Sequence, residues 1–208
     1  MIRPAVAVLA VIVAGVLAVL AVDVLRAPGR IAVDDAGYYG APLRQDALYD
    51  AVDFLPWRPA ERALGIGDDL AYRKTIWLFR RVQPGKVNIS GPDQPLLEAL
   101  RGKAVLEVAD RARRDGDPRR RAQLLNLNGV FTFSRYSAFS AFDKDRLLRE
   151  AIGAFRNAVR LDPANADARA NLELALRAAK GTGLSGEDPG AGGSRGQGTG
   201  IGRTGSGY

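Results

Sequence analysis

The stretch that decides the fold runs Ala151-Ile-Gly-Ala-Phe155-Arg-Asn-Ala158-Val-Arg-Leu-Asp-Pro163 and continues Asn165-Ala-Asp-Ala-Arg-Ala-Asn171-Leu172-Glu-Leu-Ala-Leu176. Its apolar residues recur at three- and four-residue steps, the spacing of one helix face. Small side chains at Ala151 and Ala158 let two helix axes approach closely, and Phe155 fills the space between them. Pro163 stops the first helix, and Asn165 is placed to cap the next. Hairpin packing is therefore assigned to Ala151, Phe155, Ala158, Pro163 and Leu172.

Working toward the N-terminus, a helix is expected from Arg119 to about Ser137, with Leu124, Leu125, Asn128 and Gly129 in it, and then a loop from Ser137 to Asp145. Before it, Asp115-Gly116-Asp117-Pro118 reads as a stop-and-restart signal: Gly116 terminates, Asp117 caps and Pro118 takes the first helical position. The helix ahead of that turn is expected from about Leu96 to Arg114, with Leu97, Leu100, Val105, Val108 and Ala109 as its apolar stripe. Arg111, Arg113, Arg114, Arg119, Arg120 and Arg121 flank the turn and form the densest basic cluster in the chain. Cations in the first turn of a helix oppose its dipole. The cluster is thus a candidate partner-binding surface for an acidic protein or lipid headgroup; the alternative is local pairing with Asp110, Asp115 and Asp117.

At the other end, Pro4 to Val22 contains no charged residue. At about 1.5 Å per residue this run crosses a hydrocarbon core of roughly 30 Å, and a helix satisfies its backbone hydrogen bonds internally there. A transmembrane signal-anchor is expected over residues 1–25. The competing form is a cleaved signal peptide, with Val19-Leu20-Ala21 as its cleavage site. A short positive N-tail ahead of a first membrane helix stays in the cytoplasm as a rule. The chain is accordingly expected in the cytoplasmic membrane as a single pass, with its bulk outside the cytoplasm.

Residues 26–45, with Pro28, Gly29, Gly37, Gly40 and Pro42, read as an irregular linker. Residues 46–92 read as a helical cap region. It comprises a helix from Asp46 to Leu55 ended by Pro56, a short helix from Pro59 to Leu64 closed by Gly65 and Gly67, and a third capped by Asp68. Trp57 and Trp77 are assigned to the core. Residues 93–180 form the main helical domain, and residues 181–208, rich in Gly with Ser and Thr, have almost nothing to bury and read as a disordered tail.

The Ala151–Leu176 stretch resembles a tetratricopeptide repeat: a second helix with small-x3-Phe-x2-Ala spacing, a proline at the turn, and the first helix of another repeat. The resemblance implies an all-α fold, an N-terminal transmembrane helix followed by a helical domain ending in a TPR-like hairpin. The expected loop from Ser137 to Asp145 exceeds what the repeat normally permits. Together with the membrane helix, the Asn-Ala-Asp-Ala-x2-Asn-Leu-Glu-Leu segment and the Gly-rich tail, the layout is similar to the TPR-bearing accessory proteins of MoxR ATPase and von Willebrand A-domain systems. The accessory proteins of bacterial methanol oxidation share a similar layout. The resemblance implies a scaffold or assembly factor with a MoxR ATPase or von Willebrand A-domain membrane protein as partner.

Composition narrows the chemistry. The 208-residue chain has neither cysteine nor histidine, which removes Ser-His-Asp and Cys-His nucleophilic sites and His- or Cys-ligated zinc. Its net charge of +7 comes mainly from arginine interleaved with acidic residues. The expectation is a protein-binding scaffold and not an enzyme, with no cofactor, no metal site and no nucleic-acid partner. The alternatives are anionic lipid or nucleic-acid binding through the basic turn, which steep salt dependence would expose, and an envelope hydrolase using clustered carboxylates.

Overall fold

The structure is a computed structural model that describes residues 2–40, 48–49, 59–87, 92–138 and 141–182. Seven helices account for most of them: α1 (Ile2–Gly40), α2 (Pro59–Leu64), α3 (Gly67–Arg81), α4 (Gln94–Arg114), α5 (Pro118–Ala138), α6 (Ala141–Leu161) and α7 (Ala166–Gly181). No strand occurs among the described residues. The chain divides into two compact units, Met1–Trp77 and Leu78–Tyr208.

Among the described residues, α1 is the one helix that is long and apolar enough to cross a membrane, and its apolar half is exposed along almost its whole length. It does not stop where the apolar run ends. The segment expected as an irregular linker is helical as far as Gly40, through Pro28, Gly29 and Gly37. The physical reason is a buried face that the breakers conceal. Asp23, Ala27 and Tyr38 are buried and Ile31 and Asp34 half-buried, at steps of four, four, three and four residues. Packing on that face and on α2 offsets the helix-breaking cost of one proline, about 3 kcal/mol.

The far end of α1 is held by polar contacts. Asp34 Oδ2 accepts from the Tyr49 backbone N–H at 3.1 Å, and Asp35 Oδ1 accepts from the Tyr49 hydroxyl at 2.9 Å and from Arg73 Nη1 at 2.6 Å. Arg73 Nε also donates to Asp69 at 2.7 Å. Burial works against the Arg73 charge, but the hydrogen bonds to Asp69 and Asp35 outweigh it and push the guanidinium above its ordinary range. Tyr49 has a φ of 58°, so the helix expected over Asp46–Leu55 does not pass through this residue. The rest of that helix, together with Trp57, Pro42 and the tail beyond 182, lies outside the described residues. Trp77 is buried. α3 starts at Gly67, so Asp68 sits inside its first turn with Asp69 and acts on the helix dipole from within.

The second unit is built on α5. It packs against α4, α6 and α7, and its residues Ala122, Leu124, Leu127, Val130, Phe131 and Phe133 are buried. The Phe79 and Phe131 rings meet edge-on with centroids 4.8 Å apart. α4 begins at Gln94 with Pro95 in its first turn and contributes Ala104, Val108 and Ala112 to the core. Leu97, Leu100, Val105 and Ala109 of its expected stripe are only half-buried. α6 begins at Ala141, four residues before the end of the expected loop, and only Phe139 and Ser140 separate it from α5. The polar start of α6 hid its helicity. Arg146 bridges Asp143 at 3.0 Å and Glu150 at 2.7 Å, the three- and four-residue pairs that support an exposed helix.

Candidate interaction surface

α5 and α6 pack against one another, and Gly129 of α5 meets Phe155 of α6. A Cβ on Gly129 would lie 2.4 Å from Phe155 Cε1, 2.7 Å from Cδ1 and 2.9 Å from Cζ, so the aromatic ring rests on bare backbone. Ala151, Phe155 and Ala158 are all fully buried on this face of α6. Leu172 is half-buried and Pro163 is exposed, so the proline serves the turn and not the packing. In that turn Asp162 Oδ1 accepts from the Ala164 N–H, and Asn165 Oδ1 caps α7 by accepting from the Ala168 N–H at 2.9 Å.

α7 then lies along α5 in the same direction, as two side-chain pairs record. Asn165 Nδ2 donates to Gln123 Oε1 at 3.2 Å, and Asn171 Nδ2 donates to Asn126 Oδ1 at 2.8 Å. The second pair is buried, and Asn126 Nδ2 has no hydrogen-bond partner among the described residues. Neither Asn126 nor Gln123 stands out in the sequence. The signal was a polar residue on a helix position flanked by buried apolar ones, Leu124 and Leu127.

The six arginines of the basic turn do not act alike. Asp115 is buried and closes the turn: its Oδ1 accepts from the Asp117 N–H at 2.9 Å and from Arg120 Nε at 3.0 Å, while Arg111 Nε stands 4.0 Å from its Oδ2. Asp110 pairs with Arg114 at 2.8 Å and with Arg113 at 3.5 Å. Asp117 caps α5 through the Arg120 N–H at 2.8 Å. That bond, with further help from Arg119, holds the Asp117 carboxyl below the ordinary carboxylate range. Gly116 is not in the left-handed region; α4 ends at Arg114, and its C-cap Asp115 has an extended ψ of 128°. Arg111, Arg113, Arg114 and Arg120 are therefore drawn into local pairs. Arg119 is exposed and Arg121 half-buried, and neither has a carboxylate within ion-pair distance among the described residues.

No protein-family model, curated protein or solved structure matches the chain. Charge is unevenly divided: residues 78–182 hold 20 Lys and Arg against 12 Asp and Glu, whereas residues 1–77 hold 8 against 9. The net positive charge belongs to the second unit. Among the described residues, no group of three or more acidic side chains is placed to hold a metal ion.

Proposed function

We propose that the chain is a membrane-anchored scaffold or assembly factor whose second unit, a TPR-like helical module, binds a partner protein. The observation that carries this reading is the seat of Phe155 on Gly129, with Ala151 and Ala158 beside it and α7 laid along α5. A glycine under an aromatic ring, two flanking alanines and a third helix continuing the stack are what a TPR-like unit requires of its sequence. A stack of this kind presents helix faces for binding. α1 supplies the anchor, and the positive N-tail places the bulk of the chain outside the cytoplasm in this reading.

The sequence layout adds a partner class: a MoxR-type ATPase or a von Willebrand A-domain membrane protein. The test is crosslinked capture of the full-length chain from its native membrane, with captured proteins identified by mass spectrometry. Wild type retains such a protein, and Phe155→Asp, which buries a charge between α5 and α6, loses it. Retention by both forms, or recovery of no specific protein, would overturn the reading.

A second reading, anionic lipid or nucleic acid held by the basic turn, draws support from the positive excess of residues 78–182. The local pairing of four of the six turn arginines weighs against it.

A further inference from the structure

The outer face of α6 carries charge that the helix does not use. Arg149, Arg156 and Arg160 are exposed and follow one another at steps of seven and four residues. At 3.6 residues per turn they fall within about 40° of arc, on one line roughly 16 Å long. Gly153 lies between them on the same side. A Cβ there would meet nothing within 4 Å, so the middle of the line is open.

The carboxylates of α6 leave these arginines uncompensated. Asp143 and Glu150 both pair with Arg146, at 3.0 and 2.7 Å. Arg149 and Arg156 make no ion pair or side-chain hydrogen bond among the described residues, and Arg160 donates to the neutral Asn157 Oδ1 at 3.1 Å. Asp145, one turn before Arg149, is the only other acidic residue of the helix, and none occurs from Ala151 to Leu161. In the turn that follows, Asp162 Oδ1 is committed to the Ala164 N–H at 3.1 Å.

Guanidinium groups on an open ridge suit phosphate, which each can hold with two N–H groups. From Arg146 to Arg160 the outer face offers no large apolar side chain, whereas a specific protein interface is centred on anchors desolvated in packed pockets. An anionic lipid surface needs no such anchor, because it attracts basic residues by charge within about a Debye length. α1 is long and apolar enough to cross a membrane. In the anchored reading it keeps the rest of the chain beside a bilayer at high effective concentration.

We infer that the α6 ridge docks on the anionic lipid surface of the membrane that holds α1, with lipid phosphates bound by Arg149, Arg156 and Arg160. The inference rests on the anchor reading and adds to it a second, reversible membrane contact. It places lipid binding on α6 and not at the basic turn, where four of six arginines are locally paired.

The experiment uses the full chain with Gly153→Cys, a single labelling site in a chain without cysteine. A fluorophore at that position is followed in nanodiscs containing a lipid with a spin-labelled headgroup, which quenches it on approach. Quenching rises about 2-fold or more when about 30% of the lipid is phosphatidylglycerol, and returns to the zwitterionic level in about 0.5 M salt. Arg149→Gln/Arg156→Gln abolishes the rise. Lys86→Gln/Lys103→Gln, an equal loss of charge at exposed positions outside α6, keeps it to within about a fifth. Circular dichroism separates loss of docking from loss of fold, and Arg160→Gln, which lowers the rise by itself, stands in if the double variant misfolds. Quenching indifferent to lipid charge, or equal loss in both double variants, would overturn the inference. So would capture of single-stranded DNA or an acidic peptide by zwitterionic discs that Arg149→Gln/Arg156→Gln abolishes. Co-elution of chain and disc in about 0.5 M salt reads the anchor alone: a chain that co-elutes without lipid-dependent quenching keeps the anchor and loses the ridge, and one that leaves the disc loses both.

Discussion

Gly129 and Phe155 occupy one another's space to the point that a single methyl group on Gly129 would come within 2.4 Å of the Phe155 ring. The ring is fully buried, so it has no free direction in which to yield. Substituting Gly129 by alanine sets a gain in helix propensity of about 1 kcal/mol against an overpacking cost of about 1–3 kcal/mol. Overpacking wins, and the variant is destabilised by up to about 2 kcal/mol net. Gly153→Ala, where a new Cβ meets nothing within 4 Å, is stabilised instead by about 0.5–1 kcal/mol. Urea titration of the full chain in mild detergent reads both. Phe155→Leu in the Gly129→Ala background recovers part of the loss, a non-additivity expected only of residues in contact.

The buried Asn126–Asn171 hydrogen bond gives a second asymmetric outcome. Asn171→Leu strands Asn126 Oδ1 in the core and costs about 1–3 kcal/mol. Asn126→Leu/Asn171→Leu removes both polar ends, and also the unpartnered Asn126 Nδ2, so the double variant is more stable than Asn171→Leu alone. Thermal melts of the single and double variants decide it; a double variant worse than the sum of its parts contradicts the account.

Acid sensitivity has a named contributor. The folded-state pKa of Asp117 lies below its unfolded value because backbone N–H groups at the start of α5 bind the carboxylate. Its stabilisation is therefore fully present above about pH 4, the ordinary aspartate range, and is lost as pH falls through the lower folded value. Asp117→Asn keeps a capping oxygen and removes the titration. Between pH 5 and pH 2.5 the variant loses less stability than wild type, as measured by unfolding at matched denaturant steps.

Residues 23–40 provide a test that needs no background mutation, since the chain has no cysteine. A single cysteine at Val33, which is 71% exposed, reacts quickly with a polar maleimide, and those at Ala27 and Tyr38, 0% and 1% exposed, react slowly. Uniformly fast labelling would mean an irregular linker. Arg73→Ala, which removes the ion pair with Asp35, speeds labelling at position 38 and leaves position 33 unchanged.

The sequence carried the second unit well and the first poorly, for identifiable reasons. Ala151, Phe155 and Ala158 are small, large and small on one stripe, a pattern with few meanings, and the Asp117 and Asn165 caps follow from local chemistry alone. Gly129 could be placed on α5, but its function as the floor under Phe155 depends on helix register, which spacing within one helix does not give. α1 was cut short because Pro28, Gly29 and Gly37 are breakers in isolation, whereas the face from Asp23 to Tyr38 is set by what packs on it. The arginines of the basic turn looked equivalent until the burial of Asp115 distinguished them.

The central claim, that the Phe155-seated helices form the surface that holds a specific protein partner, is tested most directly by reconstitution. A protein identified by crosslinked capture is purified and mixed with the full chain in nanodiscs, and the complex is followed by size exclusion with light scattering. The account predicts a saturable complex of fixed stoichiometry that survives about 0.5 M salt, well past the range in which exposed charges act alone, and that disappears with Phe155→Asp. Binding that Phe155→Asp leaves intact, or that vanishes with salt alone, would contradict it.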